Sequence, residues 1–221
     1  MKTLVIDVGG THVKLLATGK RSRRMFDSGP TLTPARMVEQ VLAATEDWEY
    51  DRISIGFPAP VRDNHPVDEP WNLGRGWVRF DYARAFKKPV RMINDAAMQA
   101  LGSYRGGHML FLGLGTGLGT TMIHGGVVVP LELAHLPYRH GKTYEEYVGA
   151  LGYKRLGKPK WRAHVLEIID LFVAALEVDY VVLGGGNAPH MKRLPKFVRL
   201  GTNDNAFKGG FRLWEKDDSA K

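Results

Sequence analysis

The sequence predicts an α/β protein made of two similar halves around a cleft, and three observations carry that prediction. Strand-like apolar runs alternate with stretches of helical periodicity along the chain. An opening unit of apolar strand, Gly/Thr turn and apolar strand recurs beyond Gly106-Gly107. No low-complexity linker interrupts either half. The expected division is an N-terminal α/β lobe over residues 1–106 and a C-terminal α/β lobe over residues 107–221, the last helix being free to pack back on the first lobe.

In order, Leu4-Val5-Ile6-Asp7 reads as a strand, Gly9-Gly10-Thr11 as a turn, and Val13 to Ala17 as the returning strand. A third strand falls near Arg24-Met25-Phe26. From Pro34 to Trp48 the residues Met37, Val38, Val41, Leu42 and Ala44 recur at helical spacing, with Thr33 as N-cap and Pro34 at the first helical position. Ile53 to Gly56 and Pro89 to Ile93 are strands; the second ends at Asn94-Asp95, and a helix follows through Leu101. In the second half, Met109 to Leu112 and Thr120 to Ile123 flank the Gly/Thr loop from Gly113 to Gly119. A long helix from Trp161 to Val178, a strand from Tyr180 to Leu183, the turn Gly184-Gly185-Gly186-Asn187 and a short helix around Asn205 to Trp214 complete the pattern.

A chain of 221 residues, 44% of them hydrophobic, can bury a substantial core. The absence of cysteine excludes disulfides, a thiolate nucleophile and cysteine-ligated zinc. The most apolar helical stretch, Val165 to Val178, carries Glu167, Asp170 and Glu177, which argues against a lipid-facing helix. The first strand begins too early to leave room for a signal peptide, so a cytoplasmic protein without membrane contact is expected. A net charge of +8 draws polyanions. Its densest clusters, Lys20, Arg21, Arg23, Arg24 and Lys154, Arg155, Lys158, Lys160, Arg162, read equally well as solvated surface.

Glycine and threonine in a tight turn let backbone N–H groups converge on an anion, since no Cβ obstructs it. Gly9-Gly10-Thr11 and Gly115-Thr116-Gly117 share this character; each alone also fits an ordinary hairpin turn. The repeats differ in one respect: Asp7 has Gly113 as its counterpart, so only the first hairpin can supply a carboxylate to a metal or a water. Gly113 to Gly119 does not spell a dinucleotide fingerprint, and Gly141-Lys142-Thr143 fails as a P-loop because Leu136 stands where its first glycine belongs. Asp95, at a strand-to-helix junction, is suited either to take the proton of an attacking hydroxyl or to cap the helix. Asn94 beside it offers a donor and an acceptor to sugar hydroxyls. Glu132 and His135 suit hydroxyl recognition or a surface ion pair; no metal-ligand spacing accompanies them.

Six stretches occur in the order found in the ROK family of sugar kinases: Ile6-Asp7-Val8-Gly9-Gly10-Thr11 with Lys14, Gly56-Phe57-Pro58, Ile93-Asn94-Asp95, Leu114 to Gly119, Glu132-Leu133-Ala134-His135, and Val182 to Gly186. The chain resembles that family from Leu4 to about Asn187, most of all its polyphosphate glucokinase branch. The resemblance implies an actin-like fold (sugar kinase/Hsp70/actin, ribonuclease H-like) and a homodimer. It implies transfer of a phosphoryl group from ATP or inorganic polyphosphate, with Mg²⁺, to a hexose such as glucose. Asp95 is then the general base, and Asn94, Glu132 and His135 hold sugar hydroxyls. Tyr144-Glu145-Glu146-Tyr147 is similar to a further family segment, which adds Glu145 to the sugar ligands. Asp7 approaches the donor's magnesium through water. Gly9, Gly10, Thr11, Lys14, Gly115, Thr116 and Gly117 meet its phosphates, and Gly185 and Gly186 an adenosine.

The sequence departs from the family pattern in four places. The zinc-binding cysteine segment of many members is absent, so no zinc is expected. Ala59 and Ala134 replace usual glycines and are expected to add methyl groups beside the sugar pocket, and the stretch from Leu151 to Lys160 looks shortened. The alternative function is a non-catalytic, sugar-responsive regulator of the same family. Such repressors carry a helix-turn-helix before the first strand, which Leu4 already begins here, so no nucleic-acid partner is expected.

Overall fold

Runs such as Leu4-Val5-Ile6 and Met109-Leu110-Phe111-Leu112 are continuously apolar, the signature of strands covered on both faces. The computed structural model, which describes residues 1–202 and 204–215, bears this out. Its contacts divide the chain into two compact units, residues 1–98 with the segment from 206 onward, and residues 99–205.

The first unit contains β1 (Thr3–Val8), β2 (His12–Ala17), β3 (Arg24–Asp27), α1 (Pro34–Ala44) and β4 (Arg52–Phe57). A small ribbon of β5 (Val61–Arg62) and β6 (His65–Pro66), then α2 (Tyr82–Phe86), β7 (Val90–Asn94) and the start of α3 (Asp95–Ser103) follow. Its sheet has the order β3-β2-β1-β4-β7, with β1 parallel to β4 and β4 parallel to β7. Alternation sends Leu4, Ile6, Ile53, Ile55 and Phe57 into a core with Met37, Val41 and Trp77. Val5 goes to the opposite face, against Met98, Ala206 and Phe207. Thr33 caps α1, accepting the Arg36 N–H at 3.4 Å. The helix ends at Ala44 rather than Trp48, because Thr45 turns the chain: its Oγ1 donates to the Val41 carbonyl at 2.8 Å and lies 3.0 Å from the Tyr50 hydroxyl.

The second unit contains β8 (His108–Leu114), β9 (Leu118–His124), β10 (Val127–Leu131), a 3₁₀ turn (Leu133–His135), β11 (Pro137–Arg139) and β12 (Lys142–Thr143). After these come α4 (Tyr144–Val148), α5 (Ala150–Leu176), β13 (Tyr180–Gly184) and β14 (Val198–Leu200). Its sheet order, β10-β9-β8-β13-β14, repeats the antiparallel and parallel pairings of the first. Gly113 pairs with Gly184 as Asp7 pairs with Gly56, so the carboxylate of the first sheet has no partner in the second. The helix expected from Trp161 starts at Ala150 and breaks at Gly157 (φ 71°, ψ 160°), two residues before Pro159. It stops at Leu176 because Glu177 takes a left-handed conformation (φ 49°). The stretch from Leu151 to Lys160 is thus a broken helix.

The final helix, α6 (Asn205–Arg212), supplies the first unit's second face. Ser54 Oγ donates to the Gly210 carbonyl at 2.6 Å and accepts the Trp214 indole N–H at 2.9 Å. Arg52 and Arg91 lie 5.0 and 4.3 Å from the Trp214 ring. No described helix is long and apolar enough to cross a membrane.

Candidate active site

In the first unit the chemistry gathers at the C-terminal ends of the parallel strands. Asp7 pairs across β1 and β4 with Gly56, and Gly56 across β4 and β7 with Ile93, two strand spacings or about 10 Å in all. Asp95 opens α3 two residues further on. The start of α3 lies close against β4: a Cβ on Gly56 would press on the flexible end of Met98 and stand in van der Waals contact with Asp95 Cα at 3.6 Å. Asp7 is 9% exposed, and the Lys14 ammonium, directly across the hairpin, donates to its carboxylate at 3.5 Å. Burial pushes the Asp7 carboxyl above its usual range, with Lys14 opposing the shift.

The first Gly/Thr turn is held from behind. Gly9 donates to the His12 carbonyl at 3.0 Å, and Ser28 binds both the Gly9 carbonyl (Oγ, 2.6 Å) and the Thr11 carbonyl (N–H, 2.9 Å). Its acceptors are thereby turned inward, while Gly10 and Thr11 stay exposed. Ser28 carries no motif that the sequence reading could have found.

Asn94 takes the capping role open to Asp95. Its Oδ1 accepts the Ala97 N–H at 3.1 Å, three residues into α3, and its Nδ2 donates to the Ala59 carbonyl at 3.3 Å. Asp95 Oδ1 accepts the neighbouring Ala96 N–H at 2.8 Å. Ala59 contributes its carbonyl here, while its side chain belongs to the hydrophobic core of the first unit. Ala134 is likewise buried among the core residues of the second unit, 2% exposed. Both alanines are thus packed within the cores of their units.

In the second unit Glu145 lies against the Gly/Thr turn. Its Oε2 accepts the Leu118 N–H at 3.1 Å, and a Cβ on Gly117 would collide with that same oxygen. Thr143 and Glu146 close a capping box around the start of α4, which fixes the helix that carries Glu145. The turn's carbonyls again face protein: Ala150 N–H binds Thr116 O at 3.0 Å and Asn187 Nδ2 binds Gly115 O at 3.2 Å. Asn187 also donates its N–H to Leu114 at 2.8 Å, tying the Gly184-Gly185-Gly186 turn to this one. Gly185 is demanded twice, by its φ of 81° and by the Leu114 backbone where a Cβ would go; Gly186 faces open space.

Glu132 and His135 sit on the 3₁₀ turn, 3.8 Å apart and 61% and 71% exposed. Thr120 Oγ1 holds that turn, donating to Leu131 O at 2.6 Å and accepting from Leu133 N–H at 3.2 Å. Among the described residues no group of three or more His, Asp or Glu is arranged to hold a metal. A surface recess of about 800 Å³ beside Lys2, Trp48 and Tyr50 lies at the start of β1 and includes none of these residues.

No family model matches the chain. A polyphosphate glucokinase of Mycobacterium tuberculosis is 28% identical over 206 residues, covering 82% of this chain and 76% of its own length. A glucokinase of Pyrobaculum calidifontis is 27% identical over 138 residues, 58% of this chain and 45% of its own length. This chain therefore spans less than half of that archaeal relative. Among solved structures, the inorganic polyphosphate/ATP-glucomannokinase of Arthrobacter sp. strain KM superposes with a TM-score of 0.81 at 21% identity, covering 98% of this chain and 99% of its own. A ROK family glucokinase from Streptomyces griseus, in complex with glucose and AMPPNP, gives 0.74 at 17% identity, covering 98% and 100%. The chain is similar in sequence to glucokinases and polyphosphate glucokinases, and it shares the fold of solved ROK-family sugar kinases. The paired five-stranded sheets are thus those of the ROK fold, an actin-like architecture.

Proposed function

We propose that the protein is a ROK hexose kinase that transfers the terminal phosphoryl group of ATP or inorganic polyphosphate to a hexose, glucose first. The observation that carries this reading is the division of labour at α3, where Asn94 caps the helix and Asp95 need not. In the first unit Asp95 takes the proton of the attacking hydroxyl as that oxygen bonds to phosphorus and the donor's bridging oxygen leaves. Asn94 orients the hydroxyl, and Gly9, Gly10, Thr11 and Lys14 receive donor phosphate. In the second unit Glu132, His135 and Glu145 Oε1 bind sugar hydroxyls, while Gly115, Thr116, Gly117, Gly185 and Gly186 serve the donor.

Magnesium fits this arrangement as an ion that arrives with the donor. It takes few protein ligands when phosphates and waters complete its shell, and Asp7 is a buried carboxylate that Lys14 compensates only at 3.5 Å. Bound there through water, the ion would neutralise developing charge. The test of the whole reading is a screen of ATP and polyphosphate against a panel of hexoses with purified protein; no turnover in any combination rejects it.

Glu132→Ala and His135→Ala should each weaken hexose binding by about 1–3 kcal/mol, since a bound hydroxyl loses its partner. Titration calorimetry checks this, and unchanged affinity in both variants removes the pair from the sugar site. Polyphosphate use is supported by the names of two relatives and by the +8 charge. Lys20, Arg21 and Arg23 are exposed, as are Lys154 and Lys160, whereas Arg24 is spent on Asp47. A long polyanion held partly by such charges should lose apparent affinity steeply between low and physiological salt, and ATP much less. Steady-state KM for each donor against ionic strength reads the difference; equal slopes reduce the basic clusters to surface.

A further inference from the structure

The segment joining β4 to α2 is braced at several points and yet displays a tryptophan to water. It leaves the sheet at Ala59, whose carbonyl accepts Asn94 Nδ2 at 3.3 Å, and returns at Trp77, whose ring centroid lies 5.1 Å from that of Phe57. Between these points Asn72 lies on the first Gly/Thr turn: a Cβ on Gly10 would be 3.2 Å from Asn72 Cβ and 3.5 Å from its Nδ2. The segment therefore touches both the asparagine assigned to the hydroxyl and the turn assigned to the phosphate. Glu69 fixes it further, its carboxylate accepting the N–H groups of Gly76 at 3.1 Å and Trp77 at 3.2 Å. Next to Asn72 on this braced segment, Trp71 is 100% exposed, while the other four tryptophans are buried. An indole left wholly in water forgoes the burial that gives tryptophan its value in a fold, and a rigid support keeps it presented.

We propose that Trp71 is the wall against which the acceptor pyranose stacks, with the C–H face of the sugar on the indole and its hydroxyls toward Asn94 and Asp95. This rests on the hexose-kinase reading and adds a specificity-determining residue to it. A pyranose whose hydroxyls are equatorial offers flat faces of C–H bonds, which suit the negative face of an aromatic ring. An axial hydroxyl on the stacked face would point into the ring and lose its hydrogen-bond partner. The stack therefore favours glucose over epimers with an axial hydroxyl on that face.

Because Trp71 is the one exposed tryptophan, iodide quenching of intrinsic fluorescence reports on it with little background from the others. Saturating glucose should protect the wild-type chain from iodide, and Trp71→Phe should show no glucose-dependent change in quenching. Trp71→Ala should raise the sugar KM about 3- to 10-fold with the donor KM unmoved, and Trp71→Phe should recover most of that loss. Glucose bound by calorimetry while Trp71 stays fully quenchable overturns the proposal and leaves the kinase reading standing. Absence of hexose binding and turnover in the wild type overturns both. Protection that grows with protein concentration in the absence of sugar overturns the stack in favour of an interface between copies.

Discussion

Asp95→Asn should lower kcat by about 10²- to 10⁴-fold while leaving hexose affinity and melting temperature close to wild type. The asparagine keeps the size of the side chain and an oxygen to accept the Ala96 N–H, which Asp95 accepts at 2.8 Å. The cap of α3 is untouched, because Asn94 provides it through Ala97 at 3.1 Å. What is lost is the base and the charge that orients the nucleophile. If Asp95 served only the helix, the variant would melt lower and turn over normally. The decisive set is kcat, sugar affinity by calorimetry and Tm on the same preparation, and a near-normal kcat strikes Asp95 from the mechanism.

Asp7→Asn should abolish most of the activity and at the same time raise Tm at neutral pH. Burial lifts the folded-state pKa of Asp7 above its ordinary 3.8, so the native state holds this proton to a higher pH than the unfolded chain does. Stability is therefore lost as pH climbs from the unfolded value through the folded one, and above both the full cost of the buried charge is present. Asparagine removes that cost, and Lys14, 30% exposed, still reaches water. The Tm advantage of the variant should shrink as pH falls toward 3.8, where the wild type also carries the proton. Scanning calorimetry from neutral to acid pH tests the sign. A variant that melts lower than wild type at pH 7 means that the Lys14 pair outweighs the burial. Activity retained with either donor removes Asp7 from the donor site.

Much of this fold is legible in the sequence because both sheets are buried on two faces. Leu4-Val5-Ile6 and Met109-Leu110-Phe111-Leu112 spell continuous apolar runs, and each hairpin turn announces itself by Gly and Thr. The elements that escape are those too short for a period to show: five-residue α2 and α4, and three-residue β14. The site was legible as a list of residues more than as a set of roles. Asn94 and Asp95 are adjacent, and which of them caps α3 depends on a one-residue choice of helix start that pattern cannot make. Ala59 and Ala134 stand in the motifs, but that both are buried in the cores is visible only in the packing. Asn187 and Ser28 act through backbone carbonyls of distant turns, an interaction that leaves no spacing to read.

The discontinuity of the first unit sets an order on its maturation. A ribosome delivers residues 1–98 first, yet Val5, Ile93 and Met98 acquire their cover only when Ala206 and Phe207 emerge, and Ser54 meets the Trp214 indole later still. The unit of residues 99–205, contiguous in the chain, has all its strands before that moment. The nascent protein therefore completes its inner half before its outer one, against the usual N-to-C sequence of domain folding. Translation that halts before Phe207 leaves an apolar sheet face open, and such a chain is a client for chaperones and proteases.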